Sequence, residues 1–223
     1  DGLRSISILP VIFFHLFPEV FSGGFVGVDI FFVISGFLIT SIFLKKIRAK
    51  EKISIIDFYF RRIKRIIPAF LFMQVLFIPL FFFHLNSEMF WDFSQSVIAS
   101  NTFLSNFLFT LESSYFELRG QLKPFVHTWS LAVEEQFYIF FPFIFLINKR
   151  IKSILITLII IFSFSLYLTI YQLYLPESFG RLSLFSMSSF YLPFGRLWEL
   201  ILGSFGAFFI FNYSARSSNT LSI

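Results

Sequence analysis

Apolar positions come in blocks too long for the core of an ordinary soluble domain. Residues 66–85 carry no charge, with only Gln74 and His84 strongly polar, and residues 153–174 carry no charge at all. A helix of about 20 residues rises about 30 Å, the thickness of a bilayer hydrocarbon core. The pattern predicts spans over 3–17, 25–44, 66–85, 128–147, 153–174 and 192–211. Residues 1–223 therefore read as an all-α, polytopic transmembrane helical bundle of about six spans, with no soluble domain and no internal repeat.

One segment breaks the pattern. Residues 88–110 are long enough to cross, but Ser94, Gln95, Ser96, Ser100, Asn101, Thr102, Ser105 and Asn106 interrupt them. Charge placement gives a second argument. Basic residues favour the cytoplasmic side, which puts the loop after the second span inside. If 88–110 crossed, Lys149, Arg150 and Lys152 would fall outside. If it forms a re-entrant, interfacial or protein-buried helix, they fall inside. The second arrangement is expected. Residues 53–60 are expected to form an interfacial amphipathic helix leading into "RRIKRIIP", with Pro68 in the first turn of the third span.

Composition agrees with a membrane protein. The chain is 57% hydrophobic and 14% charged, against about 25% charged for a soluble domain. It has no cysteine, which excludes disulfides and thiol nucleophiles. His15, His84 and His127 are dispersed, so no metal site of zinc type is expected. Residues 45–65 hold nine basic and two acidic side chains, a balance of +7, so the remainder carries −2 of the whole-chain +5. A basic loop between apolar spans is explained by membrane topology, and no nucleic-acid partner is expected. The chain opens on Asp1 and closes on an uncharged polar tail, and reads as a fragment trimmed at both ends.

The stretch "HTWSLAVEEQFY", residues 127–138, concentrates polar groups against an apolar run. That run, 137–147, is eleven residues, or about 17 Å of helix, too short to cross alone. The crossing must include the polar motif, which puts Glu134 and Glu135 at membrane depth. A charged side chain near the bilayer centre costs about 2.5–3.5 kcal/mol on insertion scales. His127, Ser130, Glu134 and Tyr138 share one helical face, and Glu135 and Gln136 lie off it. Such a stripe faces the bundle interior or a water-filled cavity. It reads as a proton-handling or substrate-orienting site, or alternatively as a polar strip joining helices.

Arg4 and His15 share a face of the first span about 16 Å apart, with Pro10 between them. Histidine is the natural general base near neutral pH. Gly23, Gly24 and Gly27 do not make a dinucleotide fingerprint and read as close packing or a turn. Ser35-Gly36 is not a nucleophile elbow, and Ser35 reads as packing. Asp29 can pair with a basic group near the outer end. Arg61, Arg62 and Arg65 stand at the cytoplasmic mouth, as topology anchors or as a phosphate clamp. Arg196 and Glu199 stand at i, i+3 and read as a structural pair. Glu177 and Arg181 are placed in an outside loop.

Five stretches in order resemble the membrane-bound acyltransferase 3 family of bacterial O-acyltransferases: Arg4-x10-His15, "GGFVGVDIFFVISGFLIT", "FYFRRIKRIIPA", "LKPFVHTWSLAVEEQFY" and "RLWEL". Together they cover nearly the whole chain. The resemblance implies a multi-pass protein of the bacterial inner (plasma) membrane. It implies acyl-CoA (acetyl-CoA) as donor substrate, no bound cofactor, and a glycan or lipid-linked saccharide as acceptor, such as O-antigen, peptidoglycan or exopolysaccharide. It implies His15 and Arg4 as catalytic residue and partner, and Arg62 and Arg65 for the donor. Glu134, a catalytic candidate, and Tyr138 fall within a matched stretch, as do the binding candidates His127 and Ser130; Arg61 and Asp29 complete the binding candidates. The family has about ten spans, so later spans are expected beyond the six, and the stretch around His127 resembles the subgroup carrying an SGNH domain. A proton-coupled transporter and a non-catalytic membrane scaffold are the alternatives.

Overall fold

The computed structural model describes residues 2–83, 85, 87–112, 125–148, 150–174 and 190–220. His84, Lys149, Glu177 and Arg181 lie outside them. The described residues form eight helices: α1 Gly2–Leu16, α2 Val26–Arg48, α3 Ile55–Phe82, α4 Ser87–Asn101, α5 Ser105–Glu112, α6 Thr128–Ile147, α7 Ile151–Tyr174 and α8 Pro193–Thr220. No strand occurs among them. Five helices, α2, α3, α6, α7 and α8, are long and apolar enough to cross a membrane, and α1 is a shorter apolar helix. The all-helical membrane bundle expected from the hydrophobic pattern is what folds.

Two of the expected elements take a different form. The interfacial helix and third span are one helix, α3, with Pro68 in its interior. No glycine, serine or asparagine lies between 55 and 82, and Pro68 and Pro79 are both carried within the helix. The Ser54 hydroxyl caps the helix by accepting from the Asp57 N–H at 3.2 Å. Segment 88–110 is two helices, broken after Asn101, with Phe103 in the left-handed region at φ 53°. α4, at 15 residues, is about 22 Å long, short of a full crossing. Its polar residues turn inward or onto their own backbone. Ser100 Oγ lies 2.7 Å from Thr128 Oγ1 of α6. In α5, Asn106 pairs with Gln136 of α6, whose Nε2 donates to Asn106 Oδ1 at 3.0 Å and to the Phe103 carbonyl at 2.8 Å.

α2 and α8 form the tightest pair of the bundle. A Cβ at Gly36 would strike the Leu200 carbonyl, and one at Gly203 would strike the Val33 carbonyl. Only glycine permits this backbone approach. Buried Thr40 donates across the same interface to Ser204 at 2.8 Å. α1 lies along the other side of α2, its Ser7 carbonyl against Gly27.

α3 is held differently. No described helix runs close alongside it. It reaches the bundle through side chains: Phe58 on Phe43 (ring centroids 5.3 Å), Phe70 on Phe103 (5.9 Å), and the Tyr59 hydroxyl donating to the Ile139 carbonyl at 2.8 Å. The space left between α3, α1, α2 and α6 is where the polar groups gather.

Candidate active site

α6 carries the site. Its entry is set by Phe125, at φ 64° and buried. The Phe125 carbonyl accepts from the Thr128 N–H at 2.9 Å and from its hydroxyl at 2.7 Å. A left-handed aromatic residue is strained by about 1 kcal/mol or more. This turn delivers His127 at the head of α6. From there to Glu134 is about 10 Å along the axis and to Tyr138 about 16 Å.

At the head of α6, the His127 ring meets the His15 ring edge-on, with centroids 4.5 Å apart. Both line a cavity of about 380 Å³ with Ser130 and Trp129. The other walls are apolar: Ile8, Val11, Ile12 and Leu16 of α1, and Val28 and Phe31 of α2. His127 is exposed and lines this cavity. Apolar surroundings still make its charge unfavourable, and the neighbouring His15 adds to this, lowering the imidazole to about 4. His127 is therefore neutral at physiological pH.

One to three turns further along α6 lies a second cavity of about 370 Å³, lined by Arg4, Phe31, Arg62, Arg65, Glu134 and Tyr138. Glu134 is 4% exposed. It accepts from the Tyr138 hydroxyl and pairs with Arg4 at 3.4 Å. Arg4 also donates to Ser35 Oγ at 2.9 Å and lies over the Phe31 ring at 5.3 Å. Arg62 is buried, its guanidinium 4.5 Å above the Tyr138 ring and 5.5 Å from Phe58. Among the described residues it makes no ion pair. Glu134, in the same cavity, acts on its charge from beyond ion-pair distance.

Every residue of the α6 stripe thus faces one of two cavities. Arg4 and His15 line different cavities, and the His15 ring contacts that of His127. Arg61 is exposed and lines neither. Asp29 faces the opposite side of α2, where Arg196 bridges it and Glu199, each at 2.7 Å. The Arg196 guanidinium stacks on Phe190 at 4.5 Å and on Trp129 at 5.6 Å, behind the wall of the histidine cavity. Ser35, read as packing, turns out to hold Arg4. A lone serine beside a glycine gives no sequence signal of this. Glu135 lies off the stripe, with Oε1 buried and unpartnered among the described residues.

The acyltransferase domain family Acyl_transf_3 matches residues 1–223. The chain belongs to this acyltransferase family. Among its relatives are the O-acetyltransferases OatA of Staphylococcus aureus strains NCTC 8325 / PS 47 and COL. Each is 39% identical over 175 residues, covering 76% of this chain and 28% of the relative. The acyltransferase chain thus spans less than a third of the length of these curated relatives. No solved structure matches it.

Proposed function

We propose that this chain is the acyl-transferring part of a membrane O-acyltransferase that moves an acyl group, acetyl by analogy with OatA, from acyl-CoA to a hydroxyl of a cell-surface glycan or lipid-linked saccharide. The observation that carries this reading is the pairing of two cavities along α6. One holds buried Arg62 beside Arg65, suited to phosphate. The other holds two imidazoles, suited to proton transfer. With the basic loop on the cytoplasmic side, the arginine cavity opens toward the cytoplasm and the histidine cavity toward the outer face of the bacterial inner membrane.

The residues divide the work as follows. Arg62 and Arg65 bind the coenzyme A phosphates. Glu134, Tyr138 and Arg4 form a buried network that fixes the wall between the cavities. His15 is the general base. It takes the proton of the acceptor hydroxyl as that oxygen attacks the thioester carbonyl. The carbon–sulfur bond then breaks, and His15 returns the proton to the leaving thiolate, giving the O-acyl ester and free coenzyme A. His127, neutral and edge-on, orients the His15 ring. Ser130 and Trp129 line the acceptor side.

The test is transfer of label from acetyl-CoA to glycan by the full-length protein in membranes. Loss of a positioned general base lowers the rate by about 10²–10⁴-fold. His15→Ala is expected to fall by that amount. Wild-type transfer rates in His15→Ala would overturn the catalytic assignment.

A further inference from the structure

The two cavities share one wall residue, Phe31. It stands on α2 one turn before Ser35, which Arg4 grips at 2.9 Å, and the Arg4 guanidinium lies over its ring at 5.3 Å. Glu134, across the gap on α6, holds the same guanidinium. The ring is therefore held in place from the arginine side. On the histidine side it faces Ile8, Val11, Ile12 and Val28, an apolar pocket that suits hydrocarbon better than sugar hydroxyls.

We infer that Phe31 is the partition past which the acyl thioester reaches His15, and that its bulk, with the apolar pocket behind it, sets the size of the acyl group transferred. This rests on the acyl-CoA reading above. A thioester whose phosphates lie at Arg62 and Arg65 must pass Phe31 to bring its carbonyl to the imidazoles. Its acyl tail then lies among the α1 aliphatic side chains. A smaller residue at 31 widens the neck and admits longer tails. A larger one narrows it.

The experiment compares acetyl-CoA with hexanoyl-CoA as donors for the full-length protein in membrane vesicles, in wild type, Phe31→Leu, Phe31→Ala and Phe31→Trp. Discrimination by an apolar pocket is worth about 10–200-fold per methylene. The hexanoyl-to-acetyl ratio of kcat/KM is expected to rise about tenfold or more in Phe31→Ala and less in Phe31→Leu, and to fall in Phe31→Trp. If Phe31→Ala does not fold, the opposed shifts of the leucine and tryptophan variants carry the test. An active series with an unchanged ratio overturns the inference and leaves the acyl-CoA reading standing. So does a parallel loss with both donors. A wild type that transfers from neither donor overturns both.

Discussion

Arg4 and Glu134, 130 positions apart in sequence, meet at 3.4 Å in the interior, and each is almost fully withdrawn from solvent. This contact ties α1 to α6. Breaking a buried pair by removing one charge costs about 3–5 kcal/mol, while replacing both by apolar groups is often neutral. Arg4→Met and Glu134→Leu are each expected to lower the thermal midpoint of the purified protein sharply, and the double variant to recover much of the loss. Additive losses in a double-mutant cycle would mean the pair is not coupled.

Arg61 and Arg62 are neighbours in sequence with opposite surroundings. Arg62 is buried under Tyr138, whereas Arg61 is exposed. A hydrogen bond to a charged group is worth about 1.5–3 kcal/mol, or about 10–100-fold. Arg62→Ala is expected to raise the KM for acetyl-CoA by that factor, and Arg61→Ala to leave it within about twofold. Equal effects of the two substitutions would assign both to topology alone.

The His127 imidazole is lowered to about 4 by its apolar surroundings and by its histidine neighbour, against about 6.5 in an unfolded chain. Between those values the unfolded chain binds the extra proton, so stability present above pH 6.5 is lost as pH falls toward 4. Thermal unfolding at pH 7 and pH 5 measures this. His127→Asn is expected to flatten the difference. A profile as steep as wild type would show that another group is responsible.

Two glycines of α8 separate packing from propensity. At Gly203 an added Cβ would meet the Val33 backbone, while at Gly206 it would meet only the Phe37 ring at 3.6 Å, an ordinary contact. Alanine gains about 1 kcal/mol over glycine in a helix interior. Gly206→Ala is expected to fold as well as wild type or better. Gly203→Ala is expected to lose folded protein on size-exclusion chromatography, because α2 must move away.

Behind the histidine cavity, Arg196 neutralises two carboxylates at once. Arg196→Met leaves Asp29 and Glu199 facing each other without a cation. It is expected to destabilise more than Asp29→Asn, which leaves the Glu199 pair intact. Comparable midpoints for the two variants would argue against the bridge.

Helices and stripe were readable because both follow from periodicity. Long apolar blocks gave the bundle, and the spacing of His127, Ser130, Glu134 and Tyr138 gave the inward face of α6. What was not readable depended on partners distant in sequence. The contact of His15 with His127, and the grip of Ser35 on Arg4, arise where α1 meets α2 and α6. No local pattern encodes such a meeting. The fusion of the interfacial helix with the third span is not legible in sequence because proline is favoured in a helix's first turn. In α3 Pro68 is an interior residue of a continuous helix.

The loose seating of α3 has a mechanical consequence. Among the described residues its ties to the bundle include ring contacts, the Tyr59 hydroxyl and the Arg62 guanidinium over Tyr138, with no close backbone crossing of the kind that joins α2 to α8. Aromatic pairs contribute only about 0.5–1.5 kcal/mol each beyond the area they bury. A tilt of α3 therefore breaks no helical hydrogen bond and leaves the α2–α8 keel untouched. The arginine cavity therefore has one side seated by side chains alone and others built on close helix packing.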